Sequence, residues 1–208
     1  MENPMVNYNK IITETAKSHY NVRDEYKNNT VEENQFICHL NRRPFAVGCI
    51  NITGELNVGM MIRSACLMGA ETFYIFGRKK FDARSTVGAE NYINIKQIVF
   101  DDPIHADVEL LHYLNRLYVH KHNIIVCEQG GHELGTAEWT DRLKILTSSE
   151  RHTPLFLFGS ESHGVPEIIA NAAGFTKVSI PQVGVLRSFN VSAAMNIILW
   201  DYIKEMHL

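Results

Sequence analysis

The chain has 208 residues, 45% hydrophobic and 21% charged, with a formal net charge of −3. That composition describes an ordinary globular domain with a sizeable core, with or without a short extension. It excludes an overall basic nucleic-acid binder, so any RNA or DNA partner must be drawn by a local patch.

Residues 1–44 are polar, Asn-rich and nearly charge-balanced, and read as an extension with one or two helices ending at Arg42 and Arg43. From residue 45 to 208 strands and helices alternate. Phe45–Ile52 reads as a buried strand, Thr53-Gly54 as a turn, and Asn57–Met68 as a helix capped by Asn57 and closed by Gly69. Strands follow at Thr72–Phe76 and Ile95–Phe100, a helix at Asp107–Lys121 and a strand at Asn123–Cys127. No element is assigned between Cys127 and Leu155. Leu155–Phe158 is the next strand, Pro166–Ala173 a helix, Lys177–Ile180 a strand and Val191–Met206 the closing helix. The fold class expected is α/β, a mainly parallel sheet flanked by helices, with ligands beyond the carboxyl ends of the strands.

No apolar run reaches membrane-spanning length, and neither a signal-peptide hydrophobic region nor an arginine-rich leader opens the chain. The expected location is therefore cytoplasmic, without membrane partners. The four cysteines (Cys38, Cys49, Cys66, Cys127) lack a CxxC pair and read as reduced thiols, mostly buried. His120-Lys-His122 has no acidic or cysteine companion at ligand spacing, so it reads as solvated surface and no metal is assigned.

Three segments at strand ends could carry chemistry. Asn57, Gly59 and Arg63 open a helix, although a capped amphipathic helix with a solvated arginine would look the same. In Gly159-Ser-Glu-Ser-His-Gly164 a buried strand discharges into a small-residue turn with one acid, Glu161, for which Arg63 is a candidate partner. That turn lacks the Gly-x-Ser-x-Gly pattern of a hydrolase nucleophile elbow, and His163 reads as a loop residue without a catalytic role. Ile180-Pro181 followed by Ser188-Phe-Asn-Val-Ser192 runs from a strand through a Pro/Gly loop into the last helix. No GxGxxG or Walker fingerprint is present, which argues against a dinucleotide enzyme.

Taken together and in this order, the three segments resemble the motifs of the SpoU-type RNA ribose methyltransferases of the SPOUT superfamily. The resemblance runs from about Phe45 to the C-terminus, with Ser160 in place of the usual Asn and Phe189 in place of the usual Leu. It implies a C-terminal trefoil knot, a rare exception to unknotted topology. It also implies S-adenosyl-L-methionine bound through Gly159, Ile180 and Phe189, with Glu128 in the loop after Cys127 as a further wall. The implied homodimer brings a catalytic arginine, Arg63, to the cofactor, with Asn57, Glu161, Ser188 and Asn190 as further catalytic residues. Family proposals make the arginine a general base, whereas a guanidinium almost never loses its proton and clamps phosphate well. Arg78, Lys79, Lys80 and Arg84 form the expected RNA-attracting cluster, and Arg42, Arg43, Lys10, Lys17 and Lys27 could add contacts. The activity implied is 2′-O-methylation of RNA, tRNA ahead of rRNA, with a catalytically idle RNA-binding homologue as the alternative from another class.

Overall fold

Two sequence features determine the layering: strand segments apolar on both faces, which demand cover on both sides, and helices with one apolar stripe. The computed structural model describes residues 6–7, 21–50, 52, 54–78, 80–100, 102, 104–148 and 152–208. Its elements are β1 (Val6–Asn7), α1 (Val31–Leu40), β2 (Arg43–Ile50), α2 (Glu55–Leu67), β3 (Ala70–Phe76), α3 (Ala83–Thr86) and β4 (Asn94–Ile98). There follow α4 (Ala106–His120), β5 (His122–Glu133), α5 (Ala137–Thr147), β6 (Thr153–Phe158), α6 (Glu167–Ala170), β7 (Thr176–Ser179) and α7 (Val191–Glu205).

The sheet order is β1-β4-β3-β2-β6-β5-β7. Six strands are parallel, and only the two-residue β1 runs antiparallel, along the outer edge of β4. One face buries Phe45, Val47, Phe73 and Phe156 against α2, α5 and α7; the other buries Tyr74, Phe76, Leu155 and Leu157 against α4 and α6. Strands β2 and β6 lie side by side, Cys49 opposite Phe158, although those two residues are 109 positions apart in the chain. This is where the strand order turns back, so the segments leaving the carboxyl ends of β2 and β6 emerge together.

The helix ends follow local chemistry. Thr30 and Glu33 form a reciprocal capping box at the start of α1. Gly69, at φ +83°, lets the chain leave α2 in a left-handed turn, as expected. Asn57 does not cap α2: Gly54 occupies that position, and Asn57 lies inside the first turn with its side chain free for other contacts. Gly59 does permit a close approach, but to α3, where a Cβ would strike the Ser85 hydroxyl. Thr53 lies outside the described residues.

Three further readings are corrected. Ala137–Thr147 is a helix, burying Trp139, Leu143 and Leu146 at spacings of four and three. Strand β5 continues past Cys127 through an irregularity to pair again with β7 at His132 and Glu133. His122 is fully buried rather than solvated, with Nε2 3.3 Å from the Tyr74 hydroxyl and Nδ1 2.9 Å from the Thr153 hydroxyl.

Burial, reinforced by the charge of Lys121, lowers the His122 pKa to about 4. Thr153 and Glu71 act in the opposite sense, and Lys96 in the same one. The folded protein thus binds fewer protons here than the unfolded chain between pH 6.5 and 4, so stability rises with pH across that window. Acidification from pH 7 to below 4 should cost roughly 3 kcal/mol through this group. Urea melts over that range should show the slope, and His122→Gln should flatten it.

Candidate active site

Three parallel strand ends and the loops that follow them enclose a cleft. It has a volume of about 400 Å³ and is lined by residues 127–129, 158–165, 177–180 and 187–189, with α6 and α7 closing the sides. That volume is in the range of small-molecule sites. The turn after β6 is closed by reciprocal backbone hydrogen bonds, Ser160 N–H to Gly164 O at 3.1 Å and Gly164 N–H to Ser160 O at 2.9 Å. Such closure needs glycine at both ends. A Cβ on Gly159 would fall within the backbone of Gly164 and Val165, and Gly164 has φ +68° with the Glu128 carboxylate against it.

Glu128 ties β5 to this turn. Its Oε2 accepts the Val165 amide at 3.1 Å and its Oε1 the Gln129 amide at 3.0 Å. Gln129 in turn donates from Nε2 to the Arg187 carbonyl at 2.6 Å, tethering the exposed 181–190 loop across the cleft. Ile180 is half-buried at the cleft wall, Phe189 half-exposed at its rim, and Ser188 lines it between them. The cleft therefore gathers Gly159, Ile180, Phe189 and Glu128, together with Glu161 and Ser188. Cys127 also lines it, but burial drives that thiol well up, so no thiolate nucleophile is offered.

Beside the cleft the three sequence segments are bonded to one another. Asn57 donates from Nδ2 to Glu161 Oε1 at 2.7 Å, and Asn190 donates from Nδ2 to Asn57 Oδ1 at 3.1 Å. Asn190 Oδ1 accepts the Ser192 and Ala193 amides and so caps α7. One amide thus serves as a helix cap and as a link to α2, which fixes the relative position of all three segments.

Arg63 is not part of this group. Six residues along a helix rotate a side chain by about 240° from Asn57, and no hydrogen bond or ion pair joins Arg63 to Glu161 among the described residues. Arg63 is half-buried on the outward flank of α2, between the exposed Leu56, Met60 and Leu67. The basic loop is weaker than its sequence suggests. Arg84 is held by Asp82 through both carboxylate oxygens, which lowers the Asp82 pKa and raises that of Arg84. Arg78 is also engaged, Lys80 lies exposed beyond it, and Lys79 lies outside the described residues, as do Lys10 and Lys17.

Sequence reasoning passed over Gln129, Glu167, Asn171, Lys177 and Arg187, all on the cleft wall. The Gly130-Gly131 pair was an available signal, since a Cβ on Gly131 would meet the Lys177 backbone. His163 also reaches the cleft wall, its Nδ1 2.7 Å from the Ser162 hydroxyl. Among the described residues no group of three or more His, Cys, Asp or Glu could hold a metal ion, and no helix is long and apolar enough to cross a membrane.

Several solved structures share this fold. The A. aeolicus TrmH/SpoU tRNA modifying enzyme is 21% identical over 85% of this chain and 82% of its own, with a TM-score of 0.60. The SpoU methyltransferase AviRb from Streptomyces viridochromogenes, in complex with AdoMet, is 20% identical over 80% of this chain, with a TM-score of 0.58; this chain spans 59% of its length. A protein whose structure concerns the 2-OH methylation of C/U34 on tRNA is 18% identical over 78% of this chain and 96% of its own, with a TM-score of 0.56. Among curated proteins no sequence matches. The model of the SpoU rRNA Methylase family matches residues 44–200, which takes in the cleft and all three bonded segments, and the chain belongs to that family.

Proposed function

We propose that this protein is an S-adenosyl-L-methionine-dependent methyltransferase acting on a ribose 2′-hydroxyl of RNA, with transfer RNA the substrate, and that it works as a cytoplasmic homodimer. The carrying observation is the Glu161–Asn57–Asn190 chain of hydrogen bonds at the rim of a ligand-sized cleft. It unites, by contact, three segments spread over 130 residues. Residues 1–44 are read as an extension and 45–208 as the methyltransferase domain, whose C-terminal segment is knotted.

The cleft suits the cofactor. Gly159 and Gly164 let the turn close tightly on the cleft wall, Ile180 and Phe189 offer apolar walls to a purine, and Glu128 and Glu161 supply negative charge near a sulfonium. The bound cofactor supplies the electrophilic methyl group. The chain's own task is alignment of the acceptor hydroxyl and exclusion of water. Arg63 presents a fork that fits the phosphate next to the target ribose and would hold it in place rather than take its proton. Asn57, Glu161, Ser188 and Asn190 orient the acceptor at the rim.

Because Arg63 faces away from its own cleft, the reading requires a second copy. Exposed apolar side chains flank it on α2 (Leu56, Met60, Leu67), and α7, packed on α2, exposes Ile197 and Trp200. An apolar face of that kind is suited to burial against a like surface. The tRNA preference draws on length. The chain covers 82% of the A. aeolicus tRNA modifying enzyme and 96% of the protein of the C/U34 study, but 59% of AviRb.

The test is incubation with methyl-labelled S-adenosylmethionine and separate pools of unmodified tRNA and rRNA, followed by digestion to nucleosides. Label on 2′-O-methyl nucleosides from the tRNA pool is expected. Label confined to rRNA would reassign the substrate, and label on a base would overturn the ribose assignment. Cofactor binding without transfer to either pool would favour an idle RNA-binding homologue.

A further inference from the structure

The N-terminal segment builds a second cleft, away from the cofactor site. Helix α1 lies against the short 3-10 turn Ala89–Asn91 and is pinned there by Gln35, whose Nε2 donates to the Asn91 carbonyl at 2.8 Å. Between them opens a cleft of about 340 Å³, lined by Glu32, Gln35, Phe36, His39, Arg42 and Tyr92 among others. The Arg42 guanidinium makes no hydrogen bond or ion pair among the described residues, and its Nε is closed to solvent without a partner. A half-buried guanidinium left in this state is costly unless an anion balances it. Phe36, on the same cleft, leaves 62% of its surface exposed, an unusual position for a large aromatic ring.

This cleft adjoins the helix that carries Arg63. The Ala89–Asn91 turn packs on α2. The positive field of Arg42 reaches Cys38 on α1 and Cys66 on α2, pulling both thiols down against the burial that raises them. Cys66 lies one helical turn after Arg63. Of the nearby acids, Glu90 accepts a hydrogen bond from the Thr86 hydroxyl, and Glu32 is the one carboxylate on the cleft wall.

We propose that the cleft between α1 and the Ala89–Asn91 turn is an RNA subsite, in which Arg42 holds a backbone phosphate and Phe36 stacks on the adjoining unpaired base. This rests on the RNA-methyltransferase reading and gives the N-terminal segment a task within it. An arginine fork beside an exposed aromatic ring is the combination that holds single-stranded nucleotides with little regard to sequence. The turn that walls the subsite packs on α2, the helix that carries Arg63.

Anisotropy titrations of a fluorescent, unmodified tRNA transcript over a salt series test the proposal, with S-adenosylmethionine titrations as the check on folding. Arg42→Gln should weaken RNA binding about tenfold and reduce the salt slope by about one, since one phosphate contact is lost. Phe36→Ala should weaken it about five- to tenfold with the slope unchanged, because stacking carries no counterion. If Arg42→Gln fails to fold, Phe36→Ala still decides the matter, since the ring is exposed. Wild-type affinity in both variants, from a protein that methylates the transcript, would overturn the subsite and leave the RNA reading standing. An effect of Arg42→Gln alone would overturn the stacking. Cofactor binding with neither RNA binding nor methylation in the wild type would overturn both readings.

Discussion

Arg63→Ala should lower methyl transfer by roughly 10²–10³-fold or more and leave S-adenosylmethionine affinity within about twofold, a tolerance set by the absence of any lost cofactor contact. The split follows from position. Arg63 lies outside the cleft of its own chain and touches none of the groups that shape it, so its loss leaves Gly159, Glu128 and the 181–190 loop in place. Its removal takes away the fork proposed to align the acceptor. Calorimetric cofactor titration and single-turnover transfer measure the two quantities separately, and an equal loss of both would refute the division of labour. Arg63→Lys is the finer test. A lysine keeps a positive charge and loses bidentate geometry, so a positioning role predicts a low rate that raising the pH does not restore. Recovery at high pH would instead mark the side chain as a proton acceptor.

The alternation of elements was legible because doubly covered parallel strands such as Leu155-Phe-Leu-Phe158 leave an unbroken apolar signature. Helix α5 was not, since Glu138, Asp141, Arg142 and Lys144 surround its three buried residues and conceal the stripe. His122 was misread for a related reason: a histidine between polar neighbours looks solvated until a distant tyrosine supplies its partner, and Tyr74 lies 48 residues away. At the site, the residue types and their order were readable, whereas Gly159 is needed for closure of the turn against Gly164 and Val165. Their contacts were not. Asn57 has the side chain of a good cap, yet a cap position depends on where backbone dihedrals turn helical, and here that is Gly54. Pairing Arg63 with Glu161 ignored helical phase, which turns position 63 away from position 57. Contacts of this kind become visible only once the strand order places the end of β2 beside the end of β6.

Gly159→Ala should abolish cofactor binding, with an expected loss of affinity of about 100-fold or more and a lower Tm. The new methyl group has nowhere to go, because the atoms it would meet are the backbone of Gly164 and Val165, which no rotamer change can clear. The turn must open, and with it go the Ser160–Gly164 hydrogen bonds and the hold of Glu128 on the Val165 amide. Overpacking of this kind typically costs about 1–3 kcal/mol, so most of the protein should remain folded at room temperature while the cleft is deformed. Gly135→Ala separates the two effects. Gly135 has φ +76° but open space around its Cβ position, so that variant should cost about 1 kcal/mol of stability and leave cofactor affinity unchanged. Thermal melts and cofactor titrations of the pair therefore discriminate a deformed site from a merely less stable protein. Should Gly159→Ala bind S-adenosylmethionine as the wild type does, the turn after β6 would be no part of the cofactor's contact surface. The cleft would then need a different ligand, even though the family assignment stood.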